Sequence, residues 1–389
     1  MFSSRLPARI EMNAVSRAIA SRRAAGATLL DLTQTNPTGA GISYPMQVVS
    51  SLADPEARVY TPYPLGLPAA RSAVAAEVDP SGALVTPAQI ALTASTSEAY
   101  SLLFKLLCDA GDRVLVPQPS YPLFEMLTRL ESVEPCAYRL EHHGTWAIDR
   151  PSLERGITPG TRAVLVVSPN NPTGSMMRAA DFDWLTALCE SRGIAVIADE
   201  VFADYRLRPR PDAVRLAGDR RALIFSLGGL SKSAGLPQVK LGWIAVSGPD
   251  DRVAAAMERL DVICDTYLSV STPVQVAAAR LIESGRAIRS AIAERISRNL
   301  RRLEDQLRSF PGIALLEPEG GWSVVLRVPR TTSEEQLVLR LIDEAGVLVH
   351  PGYFFDFAEE AYLVLSLLPD PATFDAGVDR LLPVAAGGA

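Results

Sequence analysis

Arg162-Ala-Val-Leu-Val-Val-Ser168 is a short β-branched run that breaks at Pro169-Asn-Asn-Pro-Thr-Gly174. Residues 181–192 follow with apolar side chains at helical spacing around Phe182, Trp184, Leu185 and Leu188, and Gly193-Ile-Ala-Val-Ile-Ala-Asp199-Glu200 reads as a second buried strand. A strand, a helix and a strand joined by a crossover of this length predict parallel pairing. Ala222-Leu-Ile-Phe-Ser-Leu-Gly-Gly-Leu-Ser-Lys232 is a further strand-like run. Ligands of open parallel sheets bind beyond the carboxyl ends of the strands, and Asn171, Asp199 and Lys232 all fall at such ends. A lone Asp there would more often cap the next helix. Three polar residues delivered by three strand ends point to one site.

Lys232 carries the most chemical information, because the chain has only three lysines among 38 basic residues, the others being Lys105 and Lys240. Arginine stays protonated and cannot attack a carbonyl, whereas a deprotonated lysine amine can form a Schiff base. A surface lysine after a strand is the plain alternative for Lys232 taken alone. Its upstream company favours the chemical one.

Ser168-Pro-Asn-Asn-Pro-Thr-Gly174, Asp199-Glu200 and Ser231-Lys232, in this order and at these spacings, resemble the class I/II pyridoxal-phosphate-dependent aminotransferases, the aspartate-aminotransferase-like fold type I, over nearly the whole chain. The resemblance implies that Lys232 is the covalent anchor of pyridoxal 5'-phosphate and shuttles the substrate proton. It implies that Asp199 pairs with the pyridinium nitrogen, so that the ring acts as an electron sink. Asn171 would donate to the cofactor's 3-oxygen. Ile90-Ala-Leu-Thr-Ala-Ser95-Thr96-Ser97-Glu98-Ala-Tyr100 reads as a strand, a polar turn and a helix start, whose free N–H groups and positive dipole end suit a phosphate. An ordinary hydroxyl N-cap fits the same pattern. Tyr121, after Val114-Leu-Val-Pro-Gln-Pro-Ser, matches the aromatic that stacks on the ring. Tyr60, with Tyr63 as a rival, resembles the tyrosine that reaches the phosphate in the neighbouring subunit, which implies a homodimer with shared active sites.

Departures from the family pattern bear on substrate. Lys240 stands where relatives place a phosphate-forking arginine, Gly229 where many have serine, and Phe202 where a tyrosine commonly donates to the 3-oxygen. A lysine keeps the charge without the bidentate geometry. The late-strand arginine that grips an α-carboxylate corresponds to Val364 in Tyr362-Leu-Val-Leu-Ser366, and no lysine or arginine occurs between Arg340 and Arg380. A buried carboxylate without a partner is costly. The substrate carboxylate is therefore absent, or held elsewhere by Asn171, by N–H groups around Asn36 in Thr35-Asn-Pro-Thr38, by His350 or by a distant arginine. A merely packed loop residue is the plain alternative for His350, since an unperturbed imidazole is mostly neutral at pH 7.

Composition is consistent with a large enzyme. At 389 residues the chain exceeds one small core. A net charge of −6 without a basic stripe argues against nucleic acid as a partner. No apolar run reaches membrane-spanning length and the first residues lack a secretory segment. Four cysteines without paired spacing and three histidines argue against a metal cluster or disulfide framework and for a cytoplasmic location. The expected fold is α/β: a large domain over residues 50–272 with a mostly parallel, doubly wound sheet, and a smaller α+β domain from residues 1–49 and 273–389. A long helix is expected from Val274 to Phe310, with Arg295, Arg298, Arg301 and Arg302 on a solvated face. The expected function is ping-pong amino transfer between a small-molecule amino donor and a carbonyl acceptor. Other reactions of the same cofactor (lyase, decarboxylase or oxidase), or a non-catalytic cofactor-binding homologue, are the alternatives.

Overall fold

The computed structural model describes residues 2–387, apart from Ala8 and Ile10. Its largest sheet has eight strands in the spatial order Ile90–Thr93, Gly242–Ser247, Ile224–Gly229, Ala195–Asp199, Thr161–Val167, Arg113–Gln118, Glu134–His142 and Trp146–Ile148. The strands from Ile224–Gly229 to Glu134–His142 run parallel, as the crossovers require. Gly242–Ser247 is antiparallel to both neighbours, so Ile90–Thr93 points the same way as the parallel set. Their carboxyl ends therefore lie on one side of the sheet.

Parallel strands covered on both faces read as continuous apolar runs rather than alternating ones. In Thr161–Val167, Ala163 and Leu165 share a buried cluster with Leu103, Phe104 and Leu260, while Val164 and Val166 share another with Phe182, Leu185 and Cys189. Each buried Val, Leu or Phe of these clusters contributes about 1.5–3 kcal/mol, so the clusters, not the polar contacts, hold the sheet between its helices.

A second, antiparallel sheet has the order Ala314–Leu316, Ser323–Arg327, Tyr362–Ser366 and His350–Pro351. Leu30–Asp31 pairs in parallel with Val347–Leu348 and ties the N-terminal stretch to the C-terminal third. The expected long helix is divided at Ala277 into Thr272–Val276 and Ala278–Leu307. On the longer piece Leu281, Ile282, Gly285, Ile288, Ile292 and Ile296 are buried, the stripe an amphipathic helix presents to a core.

The expectation of a solvated arginine face on this helix holds only for Arg301. Arg298 pairs with both carboxylate oxygens of Asp375 at 2.5 Å, Arg302 pairs with Asp379 at 2.8 Å, and Arg295 donates to the Ala40 carbonyl at 2.9 Å. These three are half-buried, because helix Pro371–Ala385 and the N-terminal stretch pack over them.

The two sheets meet at the Pro169–Gly174 loop. Gly174 adopts φ +70°, and a Cβ there would lie 2.7 Å from the Gly320 carbonyl oxygen. That close approach lets the amides of Glu319 and Gly320 donate to the Gly174 carbonyl at 3.1 and 2.9 Å. Glu319, itself buried, accepts from Arg178 at 2.6 Å and from the Met176 amide at 2.9 Å.

Candidate active site

Lys232 sits on the single helical turn Leu230–Ser233 that follows Ile224–Gly229. The preceding glycines let the neighbouring strand approach closely: a Cβ on Gly228 would lie 2.5 Å from the Trp243 ring, and one on Gly229 would lie 3.2 Å from Gly242 Cα. The turn is held from outside. Tyr205 Oη donates to the Lys232 carbonyl and Arg289 Nε to the Ser233 carbonyl, each at 2.7 Å. Lys232 Nζ lies 5.3 Å from the Trp322 ring centre and 5.8 Å from that of Phe202, with no carboxylate at ion-pair distance. Burial pulls its pKa below the ordinary lysine value, opposed by the charge of Asp199.

Asp199 ends its strand as a buried carboxylate with two donors. Its Oδ2 accepts from the Tyr100 hydroxyl at 2.8 Å and its Oδ1 from the Val201 amide at 3.1 Å. Burial raises its pKa, while the Tyr100 and Val201 donors and the Lys232 charge oppose the rise. Tyr100 is four residues beyond Thr96 on helix Thr96–Leu107, hence on the same face one turn deeper. That spacing is the only sequence signal for its contact with Asp199.

Lys232 and Asp199 open onto one cavity of about 480 Å³, which Ser95, Thr96, Ser97, Tyr121, Asn171 and His350 also line. Ser95 is the N-cap, its hydroxyl oxygen accepting from the Glu98 amide at 3.2 Å, and Glu98 in turn accepts from the Ala94 amide at 2.6 Å. Tyr121 meets Phe124 edge-on at 6.4 Å and remains 42 % exposed. The neighbouring asparagines divide their work. Asn170 is buried and bonded to Ser120, Thr173 and the Pro119 carbonyl, whereas Asn171 faces the cavity and accepts from Ser323 Oγ at 3.4 Å.

Three expected site residues stand outside the lining. Asn36 spends its side-chain oxygen on Thr38, accepting from the amide at 3.1 Å and the hydroxyl at 2.8 Å, and Thr33 and Thr35 face the cavity in its place. Lys240 is exposed at φ +56°, next to the lining residues Leu241 and Gly242. Tyr60 is 65 % exposed and lines a separate surface groove with Tyr63.

His350 pairs with Val364 across the second sheet. Burial lowers its pKa, opposed by the charge of Asp31, so the ring is neutral at pH 7. Val364 is 2 % exposed and packs with Trp146, Leu316, Val325 and Phe355. Among the described residues lining the cavity there is no arginine, and Lys232 is the only lysine.

A half-buried lysine without an ion-pair partner, a buried aspartate on the adjacent strand and a hydroxyl-rich helix start suit a ligand carrying an aldehyde, a basic ring nitrogen and a phosphate. Known proteins resemble the chain over most of its length. Alanine aminotransferase of Mycobacterium tuberculosis is 27% identical over 374 residues, covering 92% of this chain and 86% of that protein. Nicotianamine aminotransferase B of Hordeum vulgare is 28% identical over 333 residues, covering 82% and 60%. Among solved structures, alanine aminotransferase from Pyrococcus furiosus superposes with a TM-score of 0.85 at 24% identity, covering 100% of both chains. Residues 27–381 match the family Aminotransferase class I and II, and the chain belongs to that family of amino-group-transferring enzymes.

Proposed function

We propose that the cavity holds pyridoxal 5'-phosphate and that the chain moves amino groups by ping-pong chemistry, with Lys232 as anchor and proton carrier. The observation that carries this reading is the pairing of a half-buried, unpartnered lysine with a buried aspartate at adjacent strand ends. The fit is also electrostatic. Burial alone raises the Asp199 pKa, so a cationic ring nitrogen in the cavity would be the counter-charge that keeps this carboxylate ionised. When bound, the cofactor supplies an aldehyde for the substrate nitrogen and a ring that withdraws electrons.

The chain's own groups do the rest. Ser95, Thr96 and Ser97 offer hydroxyls at a helix start for the phosphate, and Tyr121 offers its ring face to the heterocycle. Asn171 offers a donor for the ring oxygen. Lys232, released from the cofactor, is the base that takes the proton from the substrate carbon and returns it, a task favoured by the depression of its pKa. The aromatic faces of Trp322 and Phe202 leave the amine little competing hydrogen bonding. Lys240 adds charge near the phosphate, supported by its position beside Leu241 and Gly242.

The exposure of Tyr60 supports a role across a homodimer interface. The division into residues 50–272 and residues 1–49 with 273–389 is supported by the two sheets. A cytoplasmic setting goes with this reading; no helix of the described residues is long and apolar enough to cross a membrane. Stoichiometric loss of the cofactor's yellow absorbance on mixing with an amino donor, with release of the matching carbonyl compound, tests the reading. Parallel double-reciprocal lines are expected when the acceptor is varied. Intersecting lines, or carbon dioxide release in place of a carbonyl product, would refute it.

A further inference from the structure

The cavity is built against a carboxylate at the point where the second sheet closes it. Val364, Phe354, Phe355, Trp322, Leu123 and Phe202 give it an apolar wall. No arginine lines it among the described residues, and Lys232 is committed to the chemistry.

Neutral donors do not replace the missing cation. Of the hydroxyls near this wall, Thr33 Oγ1 donates to Asp31 at 2.5 Å, Ser366 Oγ donates to the Gln34 carbonyl at 2.6 Å, and Ser323 Oγ donates to Asn171 at 3.4 Å. Thr35 is left. His350 lies opposite Val364, is half-buried and neutral, and the charge that reaches it is that of Asp31. A carboxylate placed here would lose its hydration without gaining a counter-charge, in a cavity that already holds Asp199.

Resting on the amino-transfer reading, we infer that the reacting carbon of the substrate carries hydrogen or an apolar group where an amino acid carries its carboxylate. The substrate class is a primary amine of a hydrophobic chain or ring, exchanged with an aldehyde or ketone. In the net reaction the donor's C–N bond breaks and its carbon is oxidised to a carbonyl. The nitrogen and an electron pair pass to the acceptor carbon, which is reduced to an amine. A water is consumed in the first half and released in the second, and the proton leaving the donor carbon is balanced by one gained at the acceptor carbon.

The test uses matched pairs that differ only in the carboxylate: 2-phenylethylamine against L-phenylalanine, and 3-methylbutylamine against L-leucine. Each is mixed with holoenzyme whose cofactor has been mapped to Lys232, and the half-reaction is followed by absorbance and carbonyl release. The amine is expected to react at least about tenfold faster than its amino acid, which is about 1.4 kcal/mol of discrimination. Faster reaction of the amino acids would overturn the inference, as a carboxylate anchor supplied by a second copy of the chain would produce. Inertness of both amines in mapped holoenzyme would overturn it too. Holoenzyme without cofactor on Lys232 would instead sink the broader amino-transfer reading. Val364→Arg and, separately, His350→Arg should each shift the ratio toward the amino acid by about tenfold or more. An unchanged ratio in both folded variants would overturn the assignment of this wall.

Discussion

Replacing Tyr100 by phenylalanine removes one hydroxyl from a site where the account assigns it a definite job. Its Oη is 2.8 Å from Asp199 Oδ2, and the Val201 amide supplies the other oxygen's donor. The ring itself stays packed, since Tyr100 lies 5.4 Å from Phe124 and 6.1 Å from Phe104 through contacts that phenylalanine keeps. A hydrogen bond to a charged group is worth about 1.5–3 kcal/mol net. If that energy steadies the ionised carboxylate during turnover, its loss lowers the rate by about 10- to 100-fold at about 1.4 kcal/mol per decade. The sign of the pH effect follows. The Tyr100 bond lowers the Asp199 pKa against burial, so its removal raises that pKa, and the acid-side loss of activity begins at higher pH. Half-reaction rates of wild type and Tyr100→Phe across pH, with circular dichroism to confirm folding, measure both effects. A variant with wild-type rate and an unmoved acid limb would refute the role given to this hydroxyl.

Asp199→Asn keeps the size and loses the charge, and turnover should fall at least about a hundredfold for a lost buried pair worth several kcal/mol; near-normal steady-state rates would mean the aspartate has been misassigned. Gly285→Ala should disturb the Lys232 turn from behind, because a Cβ there would lie 2.4 Å from Ala234 Cβ. Overpacking of that kind costs about 1–3 kcal/mol, so a lowered urea midpoint with reduced cofactor affinity is expected, and an unchanged midpoint contradicts it. Glu334 accepts from the amides of Tyr353 at 2.9 Å and Tyr362 at 2.7 Å and so holds the turn that carries Phe354 and Phe355 to the cavity. Glu334→Ala should cost about 3–6 kcal/mol from two charge-assisted bonds and loosen substrate binding before it slows chemistry; a variant as stable as wild type would show that water replaces the carboxylate without penalty.

The parallel sheet was legible because strands buried on both faces have no choice but to be apolar throughout, as Ala163 to Val167 are. Asn171, Asp199 and Lys232 were legible for a related reason: each interrupts such a run where the strand must end. The partners of these residues were not legible. Tyr100 meets Asp199 across 99 residues and Tyr205 meets the Lys232 turn across 27, separations at which no periodicity links them. The arginines on helix Ala278–Leu307 misled for the opposite reason. Their spacing describes a polar stripe, and only the packing of Pro371–Ala385 against it turns Arg298 and Arg302 into bridge partners of Asp375 and Asp379. The N–H groups around Asn36 were read from the stretch that reaches the cavity through Thr33 and Thr35, but the partner of the Asn36 amide, Gln34 Oε1 at 2.9 Å, was not legible.

The central claim is that the amine of Lys232 is the anchor of the chemistry. The most direct measurement is borohydride reduction of the yellow holoenzyme followed by peptide mapping, with Lys232→Ala as a control that should lose the label and all turnover. The expected result is a reduced pyridoxyl group on Lys232 alone. A label on Lys105 or Lys240, or on no lysine, would contradict the account.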